Sequence, residues 1–103
     1  KGITFTDVPE GDFDQLIQAV LKQPVSVAVS SKNWGLYDSG IFDLDCSGEL
    51  DHAVLLVGYV KDEYLYVKNS WSFMWGESGY IKLKYGNSCG IANDASYPSL
   101  ANQ

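Results

Sequence analysis

The chain has 103 residues, a formal net charge of −6 and 46% hydrophobic residues, enough for one compact domain, 1–103, with a real core. An acidic balance of this size argues against nucleic acid or an anionic membrane surface as a partner. No apolar run approaches the roughly 20 residues that a membrane span needs. The start, Lys1-Gly2-Ile3-Thr4, has neither a signal-peptide pattern nor an initiator Met, as expected of an internal cut or a processed terminus. One His and two Cys give no familiar metal-ligand spacing, so no metal site is expected, and no cofactor.

Residues 1–10 read as an extended lead-in. From Asp12 the pattern becomes helical: Phe13, Leu16, Ile17, Val20 and Leu21 form one apolar stripe. Asp12 can cap the first turn, with Gln15 as its capping-box partner. Pro24 stops the helix, because the residue before a proline is pushed out of the α region. Everything after it is strand-like. Val25, Val27 and Val29 alternate with Ser26, Ala28 and Ser30, which predicts a half-buried strand. Residues 31–51 form a long irregular stretch carrying Trp34, Tyr37, Gly40 and Cys46. His52–Val60 is a mostly apolar run, expected to be buried on both faces. Lys61-Asp62-Glu63 is a polar turn, and Tyr64–Asn69 returns as the second arm of a hairpin. Gly79–Tyr85 gives another strand, Gly86-Asn87-Ser88 a turn, and Ser96-Tyr97-Pro98 a short terminal strand or strap. The expected class is mainly β within the α+β family, a small antiparallel barrel or curled sheet carrying one N-terminal helix.

The hairpin carries the chemistry. If its arms pair, His52 and Asn69 lie on neighbouring strands, where an amide oxygen can accept from the imidazole. An imidazole held this way keeps one tautomer and one ring orientation. It can then share a proton with a thiol to give a thiolate–imidazolium pair. The thiol is the difficulty, because only Cys46 and Cys89 are available. They are either two free thiols or a disulfide closing a loop of about 43 residues, which chain entropy values at roughly 4 kcal/mol at most.

Seven segments stand in the order found in one family. They are Gln23-Pro24-Val25-Ser26-Val27, Tyr37-Asp38-Ser39-Gly40-Ile41-Phe42, Asp51-His52-Ala53-Val54, Lys68-Asn69-Ser70-Trp71, Trp75-Gly76-Glu77-Ser78-Gly79-Tyr80, Cys89-Gly90-Ile91-Ala92 and Ser96-Tyr97-Pro98. Together they resemble the C-terminal half of the papain-like cysteine proteases, the papain and cathepsin L group, essentially from Pro24 to Pro98. The resemblance implies the right-hand, barrel-like domain of that fold.

It implies roles as well. His52 is similar to the catalytic base and acid, Asn69 to its orienting partner, and Trp71 to the indole that covers their hydrogen bond, with Trp75 supporting the site. Cys46 and Cys89 match the family's C-terminal-domain disulfide. The nucleophile and the oxyanion-hole glutamine belong to the family's other half, and the Cys-Gly-Ser-Cys-Trp pattern is absent here. The implied partner is therefore a Cys-bearing N-terminal half, with peptides and proteins as substrates and protein inhibitors as further ligands. This chain by itself is expected to be inactive.

By the same resemblance Ala28, Leu50, Ala53 and Asp94 line the pocket for the second residue before the scissile bond. A carboxylate at its floor could pair with Arg or Lys, so basic as well as apolar residues are expected there; a surface Asp is the other reading. The family's Asn-Ser-Trp-Gly continues here as Asn69-Ser70-Trp71-Ser72, followed by Phe73-Met74, a pair free to touch substrate or a partner or simply to pack. A non-catalytic half-protease acting as a binding or structural subunit is the alternative function. A disulfide fits a lysosomal, vacuolar or secreted setting.

Overall fold

The described residues, 2–100 of a computed structural model, hold seven strands in one sheet. In chain order they are β1 (Ile3–Val8), β2 (Val25–Val29), β3 (Ile41–Phe42), β4 (His52–Val60), β5 (Tyr64–Lys68), β6 (Tyr80–Lys84) and β7 (Ala95–Leu100). Across the sheet they run β1-β7-β2-β4-β5-β6-β3, an open order ended by β1 and β3. The pairings are antiparallel except that of β3 with β6, which is parallel. The mainly β reading with one N-terminal helix holds, and the curled sheet does not close into a full barrel.

Helix α1 (Phe13–Val20) packs Leu16, Ile17 and Val20 into the core. Asp12 caps it, its Oδ1 accepting from the Gln15 N–H at 3.1 Å. The reciprocal arm of the expected capping box is not made, because the Asp12 N–H donates to the Pro9 carbonyl instead. Leu21 ends the helix and is exposed. The stripe is therefore one residue shorter than its periodicity implies, and Lys22 and Gln23 turn back onto the Ala19 carbonyl before Pro24.

The strands follow their patterns with one correction. In β2, Val25, Val27 and Val29 are buried. In β4, expected to be covered on both faces, Val54 and Leu56 reach the core, whereas Ala53 is exposed and Leu55 and Val57 are only half-buried. Only the core face is fully covered among the described residues. The lead-in is a true strand, β1, paired with β7 along its length.

The stretch 31–51 is more ordered than its composition suggests. Asn33, at φ +66°, turns the chain into a one-turn 3-10 helix, Trp34–Leu36, and β3 then lies beside Lys82 and Leu83 of β6. A clasp holds the stretch down. The Tyr37 hydroxyl donates to the Gly40 carbonyl at 2.6 Å, and the Gly40 N–H donates to Glu77 Oε2 at 2.6 Å. Lys82 Nζ lies 3.3 Å from the other Glu77 oxygen. Burial pushes the Tyr37 hydroxyl up to about 12, while the Gly40 N–H holds the Glu77 carboxyl below its ordinary value.

Cys46 and Cys89 are disulfide-bonded, with Cα atoms 5.0 Å apart. The bridge ties the 31–51 stretch to the 88–90 turn, and the Cys89 carbonyl, accepting from the Ser30 N–H at 2.9 Å, ties that turn to the end of β2.

Candidate active site

His52 opens β4, and its position is set by the residue before it. Asp51 Oδ1 accepts from both the N–H of Ser31, at 2.9 Å, and its Oγ, at 3.0 Å. The Asp51 N–H donates to the Val29 carbonyl at 2.9 Å. These bonds, the Ser31 N–H first among them, hold the Asp51 carboxyl below the usual carboxylate range. Asn69 follows the last residue of β5, and its N–H donates to the Gly79 carbonyl at 3.0 Å.

The two side chains meet. His52 Nε2 lies 2.6 Å from Asn69 Oδ1, and the Ser70 N–H donates to that same oxygen at 2.7 Å. A backbone N–H is only a donor, so the Asn69 atom facing it must be the oxygen. His52 Nε2 must then be the protonated nitrogen, and in the neutral ring Nδ1 keeps its lone pair. Asn69 is 6% exposed, which strengthens both bonds in a lower local dielectric. Its Nδ2 is buried with no hydrogen-bond partner among the described residues.

Aromatic rings enclose this pair. β4 and β5 pair at Leu55 with Lys68, and extending that register brings Trp71 across from His52. The two rings stack with centroids 5.2 Å apart. Trp75 meets Trp71 edge-on at 5.2 Å and donates its Nε1–H to the Trp34 carbonyl at 3.1 Å. Trp34 is the residue that sequence reasoning missed. It is 0% exposed, stands edge-on to His52 at 6.0 Å and stacks on Trp75 at 6.0 Å. A large aromatic in an otherwise polar, aperiodic stretch was the only hint of it.

The four pocket candidates lie on the other flank of His52. Ala28 of β2 pairs with Ala53 of β4, and the Ala28 N–H donates to the Asp94 carbonyl at 3.0 Å. The structure thus brings Ala28, Ala53 and the Asp94 backbone together, with Asp94 exposed. Leu50 packs against Gly90, where a Cβ would meet its Cδ2 at 2.7 Å. No group of three His, Cys, Asp or Glu that could hold a metal ion occurs among the described residues. No described helix is long and apolar enough to cross a membrane.

Comparison with known proteins gives the family. The family described as papain family cysteine protease matches residues 2–99. The thiol protease SEN102 of Hemerocallis sp. is 47% identical over 103 residues, covering 89% of this chain and 29% of its own length. A cathepsin L-like protein of Caenorhabditis elegans is 48% identical over 105 residues, covering 91% of this chain and 31% of its own. The Carica candamarcensis cysteine protease CMS1MS2, solved with E-64, superposes with a TM-score of 0.86 at 40% identity, over 92% of this chain and 47% of that one. The chain spans about 30% of the length of the two curated relatives named here. With the match running through nearly every described residue, the chain belongs to the papain family of cysteine proteases.

Proposed function

We propose that residues 1–103 are the C-terminal barrel domain of a papain-like cysteine endopeptidase, supplying its general base and the group that orients the base. The observation that carries this is the His52 Nε2–Asn69 Oδ1 contact at 2.6 Å, with the Ser70 N–H fixing which Asn69 atom faces the ring. With Nε2–H committed to Asn69, Nδ1 is the nitrogen that takes a proton from a cysteine thiol carried on an N-terminal half. The resulting thiolate attacks the peptide carbonyl. The imidazolium returns its Nδ1 proton to the leaving amine, and water then releases the acyl group by the same exchange. Trp71 lies on the His52 face, and Trp75 and Trp34 brace it, keeping water from the Nε2–Oδ1 bond.

The cleft lies between the two halves. On this side its pocket is built from Ala28, Leu50, Ala53 and Asp94, and an Asp94 carboxylate at the floor lets Arg or Lys enter as well as apolar side chains. The chain is inactive without the Cys-bearing half. Its substrates are peptides and proteins, its inhibitors include proteins that fill the cleft, and its setting is lysosomal, vacuolar or secreted, where a disulfide persists.

The test uses the complete protease and the 103-residue chain side by side. The complete enzyme should hydrolyse peptides and be blocked by E-64, and His52→Ala should abolish hydrolysis. The chain alone should be inert and regain activity only when the Cys-bearing half is added. Undiminished hydrolysis by His52→Ala, or hydrolysis by the chain alone, overturns the reading. Within the working enzyme, an Asp94→Ala variant should lose cleavage of peptides with Arg as the second residue before the scissile bond while keeping cleavage of those with Leu there.

A further inference from the structure

The loop after Trp71 departs from the family pattern in sequence and still adopts a backbone that suits glycine. Ser72, in the place of the family's glycine, sits at φ +84°. Its Oγ accepts from the Met74 N–H at 3.1 Å, and its carbonyl accepts from the Trp75 N–H at 3.2 Å. The Gly79 N–H donates to the Trp75 carbonyl at 2.8 Å, and a Cβ on Gly79 would lie 3.3 Å from Phe73 Cα. The loop is therefore pinned at both ends and packed along its backbone.

On this pinned loop Phe73 and Met74 are 72% and 81% exposed. Their neighbours Trp71 and Trp75 pack into the aromatic cluster, so the outward pair has no part in holding the fold. Two adjacent large apolar side chains held in water at a rigid turn beside a catalytic pair form a ready contact surface.

Its position names the occupant. In the sheet order, β2 and β7 lie on one side of β4, the strand that His52 and Ala53 open, and β5 lies on the other. Ala28 of β2, paired with Ala53 of β4, and Asp94 just before β7 are on the first side, and Trp71, Phe73 and Met74, which follow β5, are on the second. A peptide whose second residue before the scissile bond fills the first side must continue across His52 toward the second. Resting on the function proposed above, we infer that Phe73 and Met74 form an apolar platform for the substrate residues that follow the scissile bond. The enzyme then selects large apolar side chains there over small polar ones.

The experiment compares two peptides cleaved by the complete protease. They are identical up to the scissile bond and carry Leu-Leu or Ser-Ser immediately after it. The wild type should favour Leu-Leu by about tenfold in kcat/KM, the range one apolar contact gives an enzyme. A Phe73→Ser, Met74→Ser double variant should bring that ratio close to one, mainly through KM. A Phe73→Leu, Met74→Leu variant should retain it. A ratio unchanged in the double variant, with both peptides still cleaved, overturns the platform and leaves the proposed function standing. If the wild type cleaves neither peptide, both inferences fall together.

Discussion

The backbone N–H of Ser70 donates to Oδ1 of Asn69 at 2.7 Å, and so decides which end of that amide faces His52. One main-chain donor thereby selects the imidazole tautomer two side chains away. His52 is the only histidine, so its nitrogen resonances can be read without overlap. The neutral ring should carry its proton on Nε2, and in Asn69→Ala the two tautomers should mix. In the complete protease Asn69→Ala should lower kcat/KM by about 10- to 100-fold, a part of what a positioned general base contributes. Nitrogen-15 shifts and peptide hydrolysis check the two halves of this expectation.

Trp34 is fully buried among His52, Trp71, Trp75 and Phe42. Truncating it to Ala should cost about 3–5 kcal/mol, a large share of the stability of a domain this size. Its Nε1–H is buried with no partner among the described residues, so Trp34→Phe forfeits no hydrogen bond seen there and should cost far less. Urea unfolding of the two variants would show the ordering.

Ser72 holds a left-handed conformation that suits glycine, at a cost of about 1–2 kcal/mol for an L-residue. Ser72→Gly should therefore raise stability by up to about 1 kcal/mol after the loss of the Oγ bond to the Met74 N–H. Ser72→Ala keeps the strained backbone and loses that bond, so it should destabilise. A pair of thermal melts checks the opposite signs.

The Glu77 clasp predicts a pH dependence. Its carboxyl is held below its ordinary 4.5, first by the Gly40 N–H and then by Lys82. A depressed folded-state value means that the contribution is complete above the unfolded value and is lost as pH falls through the folded one. Stability should thus be level from neutral pH to about pH 5 and decline below it. Asp51, held down by Ser31, adds to the same acid limb. Glu77→Gln should be less stable at neutral pH and show a shallower acid decline. Unfolding free energies from pH 7 to pH 3 test this.

What was legible in the sequence follows from periodicity and local chemistry. The α1 stripe, the β2 alternation and the β4–β5 hairpin each leave a repeating apolar signal, and the Asp12 cap a local one. The hairpin places His52 and Asn69 on neighbouring strands, but their contact could not be read from it, because the register, shifted between Leu56 and Gly58, sets Trp71 across from His52. Trp34 and β3 could not, since both depend on the αL turn at Asn33 and on the distant Glu77 clasp, and neither leaves a period. The β4 error has a definite cause. Ala53, Leu55 and Val57 are apolar on the outer face, but the residues that cover a face do not show in the strand itself. The family pattern marks Ser72 as standing in a glycine's place, while its positive φ shows only in the backbone.

The Cys46–Cys89 bridge sets a redox condition on the whole assembly. On the function proposed above, the nucleophile of the other half works only while reduced, whereas this bond, joined through the Cys89 carbonyl to the Ser30 N–H just past β2, must stay oxidised to keep the two segments linked. Both states have to coexist in one compartment, and the buried Cys89 sulfur is the less open of the two bridge atoms to attack by a passing thiolate. On that reading, the milieu that keeps the nucleophile alive is bounded on its reducing side by the Cys46–Cys89 bond.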